Sequence, residues 1–243
     1  KAGSSWLDYD AKLISKGGGV FARTAKTVPL SREVRDWLGV EATEMTPNAL
    51  IRELLRADVD LLWNGGIGTY VKASQQTNEQ AHDKVNDALR IDASELRCRV
   101  VGEGGNLGFT QLARIEFALS GGQIYTDAID NSAGVDCSDH EVNIKILLDM
   151  LSKKGLISGR EERDRIFLDM TDDVADLVLA DNLGQALALS LDCRRSRRDY
   201  EAFVDLVDDM AGAGLLTAAY AHNDHHDLGR RHSRAWYLAP LVV

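Results

Sequence analysis

Arg97-Cys98-Arg99-Val100-Val101-Gly102-Glu103-Gly104-Gly105-Asn106-Leu107-Gly108-Phe109-Thr110 is the stretch on which the fold turns. Arg97 to Val101 reads as a short interior strand, and Gly102 to Gly108 as the glycine-rich loop that closes it. Thr110 to Ser120 then has helical spacing, and Gln123 to Thr126 is the next strand. Strand, loop, helix and strand in this order make a compact βαβ unit, expected to cross over right-handed. The same grammar stands upstream. Thr46 is a good N-cap, Pro47 suits the first helical position, and Leu50, Ile51, Leu54 and Leu55 repeat at helical spacing, so a helix is expected from Thr46 to Ala57. It leads into a strand, Val59 to Trp63, that ends in Asn64-Gly65-Gly66-Ile67-Gly68.

Downstream, the third strand runs into Asp127 to Gly134. A helix is expected to begin near Ser138, because Ser138-x-x-Glu141 has the spacing of a capping box. After Gly155 the texture is helical only, with helices expected over Arg160 to Asp181, Leu183 to Arg194 and Asp199 to Met210. The last stretch loses periodicity and collects His222, His225, His226 and His232. The expected organisation is therefore an α/β region over 1–155, a helical segment over 156–211 and a weakly specified tail over 212–243.

Composition narrows the function classes. The chain has 243 residues with 44% hydrophobic content, enough for a core. Its 38 acidic against 28 basic residues give a formal charge of -10, which disfavours a phosphate-binding surface, so no nucleic-acid partner is expected. No uninterrupted apolar run approaches the roughly 20 residues that cross a bilayer, and residues 1–10 have no signal-peptide pattern. A cytoplasmic protein without a membrane partner is the expectation. The three cysteines, Cys98, Cys137 and Cys193, form no CxxC pair, which fits reduced thiols. The chain opens on Lys1 with no initiator methionine, so a longer parent is expected.

In an open parallel sheet, loops at the carboxyl ends of the strands line one crevice. Asn64 to Gly68, Glu103 to Gly108 and Asn131 to Glu141 are therefore expected to converge. Glycine lets backbone amides approach a flat or charged ligand, and Asn106 and Asn131 each offer a donor and an acceptor to match a carboxamide. Any one of these loops is accounted for by turn geometry, and the three together point to a site. Ser138 has two compatible roles, capping a helix or binding a carboxylate with the free amides of a helix start. Glu141 reads as the capping partner and His140 as a helix-surface residue. His222-x-x-His225-His226 lacks a matching distant ligand pattern, so no metal site is expected. Gly17-Gly18-Gly19 lacks the spacing of a phosphate loop and reads as a turn.

Two phrases carry a resemblance. Val101 to Thr110 is similar to the VEGANGPTT phrase of the glutamate dehydrogenase superfamily, with Glu, Gly and Asn in register. Thr126 to Glu141 is similar to PDILANAGGVxxSxxE, with Asp127, Asn131, Gly134, Val135, Ser138 and Glu141 in place. WNGGIGTYVKAS (Trp63 to Ser74) and DNSAGVDCSDHEVNIKILL (Asp130 to Leu148) resemble the large bacterial NAD-specific branch, over roughly Ser5 to Asp192. This resemblance implies an α/β fold, a partial Rossmann-like, doubly wound parallel sheet followed by an α-helical C-terminal segment. It implies NAD as cofactor, held by Asn64, Gly65, Gly66, Glu103, Gly104, Asn106, Asn131 and Gly134, with Ser138 binding substrate. It further implies L-glutamate and 2-oxoglutarate as reaction partners and a homo-oligomeric full-length enzyme. The dinucleotide glycine fingerprint and the glycine-flanked catalytic lysine have no counterpart here, since neither Lys72 nor Lys145 sits in that context. Both are expected upstream of Lys1. A non-catalytic nucleotide-binding or structural module, and a dehydrogenase of another amino acid, are the alternatives.

Overall fold

The computed structural model of the chain describes residues 5–215. Two compact units divide between Ile124 and Tyr125, whereas the change of sequence texture lies near Gly155.

The first unit is mixed α/β. Strand β1 (Val28–Pro29) and β2 (Glu44–Met45) pair antiparallel around helix α1 (Arg32–Leu38). Helix α2 (Pro47–Leu55) starts where its sequence says: Thr46 accepts a side-chain bond from the Ala49 amide, and Pro47 opens the first turn. Strands β3 (Leu61–Asn64), β6 (Val100–Glu103) and β7 (Gln123–Ile124) form a parallel sheet in the order β3-β6-β7. Strands β4 (Val71–Lys72) and β5 (Ile91–Asp92) form a separate parallel pair, and helix α3 (Gln111–Leu119) links β6 to β7. Thr110 caps α3 by accepting from the Ala113 amide.

One core joins β3 to β7 and α3, with α2 packed on it through Leu55. Val71, Ile91, Ala93, Cys98, Val101, Phe109, Ala113 and Phe117 are buried against one another, with Leu62 and Ile124 packed on them. Burying each of the larger side chains contributes about 1.5–3 kcal/mol. Alternation along β3 sends Leu62 inward while Leu61 and Trp63 stand exposed on the other face.

The second unit is helical among the described residues: α4 (Asp127–Asp130), α5 (Ser132–Lys153), α6 (Arg160–Asp169), α7 (Thr171–Arg198) and α8 (Tyr200–Gly212). Helix α7 packs on α4, α5, α6 and α8. Phe203 and Val207 are buried on α8 and Val178 on α7, while Leu177, Leu183 and Leu187 on α7 are exposed.

Several expectations are corrected here. Strands β3 and β6 are shorter than read and end further along, at Asn64 and Glu103, while β7 stops at Ile124, short of the expected Thr126. The β4–β5 pair was not foreseen. The helix expected near Ser138 starts at Ser132 instead, and Asn131 to Glu141 is almost wholly helical rather than a loop. The junction between α4 and α5 is held from outside: the Asn182 side chain on α7 donates to the Ile129 carbonyl and the Ser132 hydroxyl. That contact lets the helix restart immediately after Asn131, and one interior glycine, at a cost of about 1 kcal/mol, does not stop it. The break expected between Asp181 and Leu183 is absent, and the chain interrupts its helices at Met170. No uninterrupted apolar run reaches bilayer length, as expected, but one helix is apolar on average. Helix α7 holds an 18-residue window of mean hydropathy 1.3 with no more than two charged residues, enough by length and composition to cross a bilayer. Asp176 and Asp181 divide that run in the sequence, but the average over a full window stays apolar. The histidines after Leu215 lie outside the described residues.

Candidate functional site

The parallel register sets Asn64 opposite Glu103 and Trp63 opposite Gly102. Both strands therefore end side by side, and their glycine-rich loops leave together. The Gly105 amide donates to the Asn64 carbonyl at 3.0 Å, and the Gly66 amide donates to the Asn64 side-chain oxygen at 3.3 Å. The two turns are thus stitched to each other at the carboxyl edge of the sheet.

Close approach explains Gly102, Gly104, Gly105 and Gly108. The Trp63 indole lies over Gly102 and Gly104, and a Cβ on either would meet its ring carbons at 2.5 Å. A Cβ on Gly105 would meet the Gly66 carbonyl at 2.5 Å, and one on Gly108 would overlap the Asn64 amide nitrogen. Leu107 takes φ +61°, a left-handed conformation uncommon for a non-glycine residue. It projects as an exposed apolar side chain from the turn.

Glu103 does a different job from the glycines beside it. It is fully buried. Its carboxylate pairs with Arg114 of α3 through two bonds, at 2.7 and 3.0 Å, and accepts the Phe109 amide at 3.2 Å. One end of the loop is therefore clamped to the helix that follows it. The Asn64 side-chain nitrogen, by contrast, is buried and has no hydrogen-bond partner. An unmade buried donor is costly, about 1–3 kcal/mol.

Behind this edge, the Asp83 carboxylate accepts the Thr69 amide at 2.8 Å and the Asn86 side-chain amide at 2.6 Å. The Asn86 hydrogen bond, chiefly, with the Thr69 amide and nearby Arg90, holds Asp83 below its usual range against the opposing effect of burial. Arg90 is itself buried and bonds the Thr69 carbonyl, Asn78 and Asp87. Lys72 is paired with Asp92, and Lys145 with Glu141. Both lysines are occupied by carboxylates.

Of the residues proposed from sequence, Asn64, Gly65, Gly66, Glu103, Gly104 and Asn106 lie on the first unit at the ends of β3 and β6. Asn131, Gly134 and Ser138 lie on the second. Asn131 is the residue between α4 and α5. Gly134 and Ser138 are inside α5, where the Ser138 hydroxyl donates to the Gly134 carbonyl at 3.3 Å. The capping box is corrected accordingly: Ser138 is seven residues into the helix, so it has no free amide end to cap, and Glu141 pairs with Lys145 one turn on. Sequence reasoning passed over Trp63, whose only signal was an aromatic two positions before a glycine pair. It also left His140 without partners, although Asp136 lies one turn away at 3.5 Å.

The class defined by these features is a mixed α/β unit whose adjacent parallel strands end in interlocked glycine turns, followed by a helical unit. The family described as bacterial NAD-glutamate dehydrogenase, catalytic domain, matches residues 1–192. The chain belongs to that family. It is 53% identical over 216 residues to the NAD-specific glutamate dehydrogenase of Pseudomonas aeruginosa, covering 89% of this chain and 13% of the relative. The protein of the same name from Halomonas elongata is 49% identical over 243 residues, 99% of this chain and 15% of the relative. That from Mycobacterium tuberculosis is 57% identical over 188 residues, 75% and 12%. The chain thus spans between 12% and 15% of the length of these curated relatives.

Proposed function

We propose that this chain forms the later strands of a Rossmann-like, doubly wound NAD-binding domain in a glutamate dehydrogenase that oxidatively deaminates L-glutamate to 2-oxoglutarate and ammonia. The observation that carries this reading is the paired strand end: two interlocked glycine turns beside an orphaned, buried Asn64 amide. Open α/β sheets hold nucleotides at this edge, and the donor set there is neutral and backbone-rich, suited to a ribose, a pyrophosphate or a carboxamide.

In this reading Asn64, Gly65, Gly66, Gly104 and Asn106 contact the cofactor, and Glu103 keeps the second turn in place through Arg114. On the second unit, considered by itself, Asn131 and Gly134 are the proposed cofactor-binding residues and Ser138 the proposed carboxylate-binding one. NAD, when bound, accepts a hydride from the substrate. This chain's residues contribute orientation, holding the two reactants in near-attack geometry. Proton transfer at the substrate nitrogen is assigned, by the family resemblance, to a glycine-flanked lysine, a context that neither Lys72 nor Lys145 has.

The test is made in the full-length protein. Asn64→Leu keeps the number and branching of the side-chain heavy atoms at a larger volume and removes the amide, and it is expected to weaken NAD binding about tenfold, the equivalent of one hydrogen bond worth ~1.4 kcal/mol. Unchanged NAD affinity with unchanged glutamate-dependent NAD reduction would remove the strand-end site from consideration.

A further inference from the structure

A second cluster of ligating groups lies on the helical unit, separate from the glycine turns. Asp136 and His140 stand one turn apart on α5, and Asp181 reaches the same place from α7; one ligand atom from each lies within 4.8 Å of the others. We propose that Asp136, His140 and Asp181 bind a divalent cation of the Zn2+ or Mn2+ class that fastens α5 to α7. The inference does not depend on the dehydrogenase reading.

Three observations carry it. One Asp136 carboxylate oxygen, Oδ2, is buried and lacks a hydrogen-bond partner, so this acceptor has lost water and gained nothing in return. The His140 Nε2 to Asp136 Oδ1 distance is 3.5 Å, well beyond the roughly 2.7–2.9 Å of a charge-assisted bond. The pair is therefore not closed on itself. Among the described ion pairs, neither Asp136 nor Asp181 has a lysine or arginine partner, so two carboxylates from different helices lie within 4.8 Å of each other and of one imidazole. A cation resolves all three conditions at once.

The donor set selects the ion. One imidazole and two carboxylates suit Zn2+ and Mn2+ and are too nitrogen-rich for Ca2+ or Mg2+. Ligands about 2.0–2.2 Å from an ion are brought there by a modest rotation of Asp181, which is exposed and free to turn. Three protein ligands leave the remaining positions to water.

The experiment uses the full-length protein, stripped with chelator and assayed without NAD or glutamate. Titration with Mn2+, followed by loss of the free-ion paramagnetic resonance signal, and with ZnCl2 by calorimetry is expected to show a site whose affinity falls at least tenfold in His140→Gln and in Asp181→Asn. Asp139→Asn, on the neighbouring position, is expected to retain it. As a readout on the unaltered protein, ZnCl2 is expected to slow carbethoxylation of His140, mapped by mass spectrometry, at least tenfold. Equal binding by all three variants, no binding by the parent protein, or His140 modified at the same rate with and without ZnCl2 would each overturn the proposal.

Discussion

Glu103 and Gly108 sit five positions apart in the same turn and fail in different ways when changed. Glu103 is buried against Arg114, so Glu103→Gln leaves a guanidinium in the core without its counter-charge. Breaking one side of a buried pair costs about 3–5 kcal/mol, and the denaturant midpoint of unfolding is expected to fall accordingly. Gly108→Ala drives a methyl group into the Asn64 amide. Overpacking of this kind costs about 1–3 kcal/mol, and displacing Asn64 also predicts weaker NAD binding by direct titration. A variant that loses stability with NAD affinity intact would separate the loop's structural role from the proposed one. At this scale the sequence was readable in part: it marks the glycines, but Glu103, read from sequence as a cofactor-contacting loop residue, shows its buried partner eleven residues on only in space.

Helix starts show where local reading works and where it stops. Thr110 caps α3 and its hydroxyl also bonds Gln76 at 2.6 Å, so Thr110→Ala is expected to cost about 1 kcal/mol or somewhat more, measured by chemical denaturation. Ser138→Ala is expected to leave stability within about 0.5 kcal/mol, because its bond to Gly134 lies within a helix that has already begun. If Ser138 binds the substrate carboxylate, the same variant raises the KM for glutamate. Capping at Thr46 and Thr110 was legible because cap, proline and apolar spacing are adjacent in sequence. The start of α5 was not, because the contact that fixes it comes from Asn182, fifty residues beyond Ser132. The break at Met170 was hidden for a related reason, since Arg160 to Asp181 keeps a helical composition throughout. The α/β-then-α order was legible because β3, β6 and β7 each announce themselves by a short apolar run and a turn.

Across the first unit, a network of paired carboxylates sets the response to acid. Asp83 is held below its ordinary value of 3.8, chiefly by Asn86, with the Thr69 amide and Arg90 assisting against burial. Burial pushes Glu95 upward, yet the Asp92 amide and Arg56 bring it below its ordinary value of 4.5. For groups depressed in the folded state, the stabilisation is present in full above the unfolded value and is lost as pH falls through the folded one. Stability is therefore expected to be flat near neutrality and to decline below about pH 4, in the range set by the ordinary carboxylate values. Denaturation midpoints between pH 7 and pH 3 check this, and Asp83→Asn is expected to flatten the decline. Such a network is invisible in sequence, because Asp83, Asn86, Arg90 and Thr69 form one cluster only after the chain folds back on itself.

The indole resting on Gly102 and Gly104 has an optical consequence. Its exposed position places a natural fluorophore at the edge where the proposed dinucleotide would settle, and indole emission overlaps the absorbance of reduced nicotinamide. Adding NADH to the full-length protein should therefore quench tryptophan light by energy transfer, and Trp63→Phe should remove much of that quenching, giving an occupancy signal that needs no turnover.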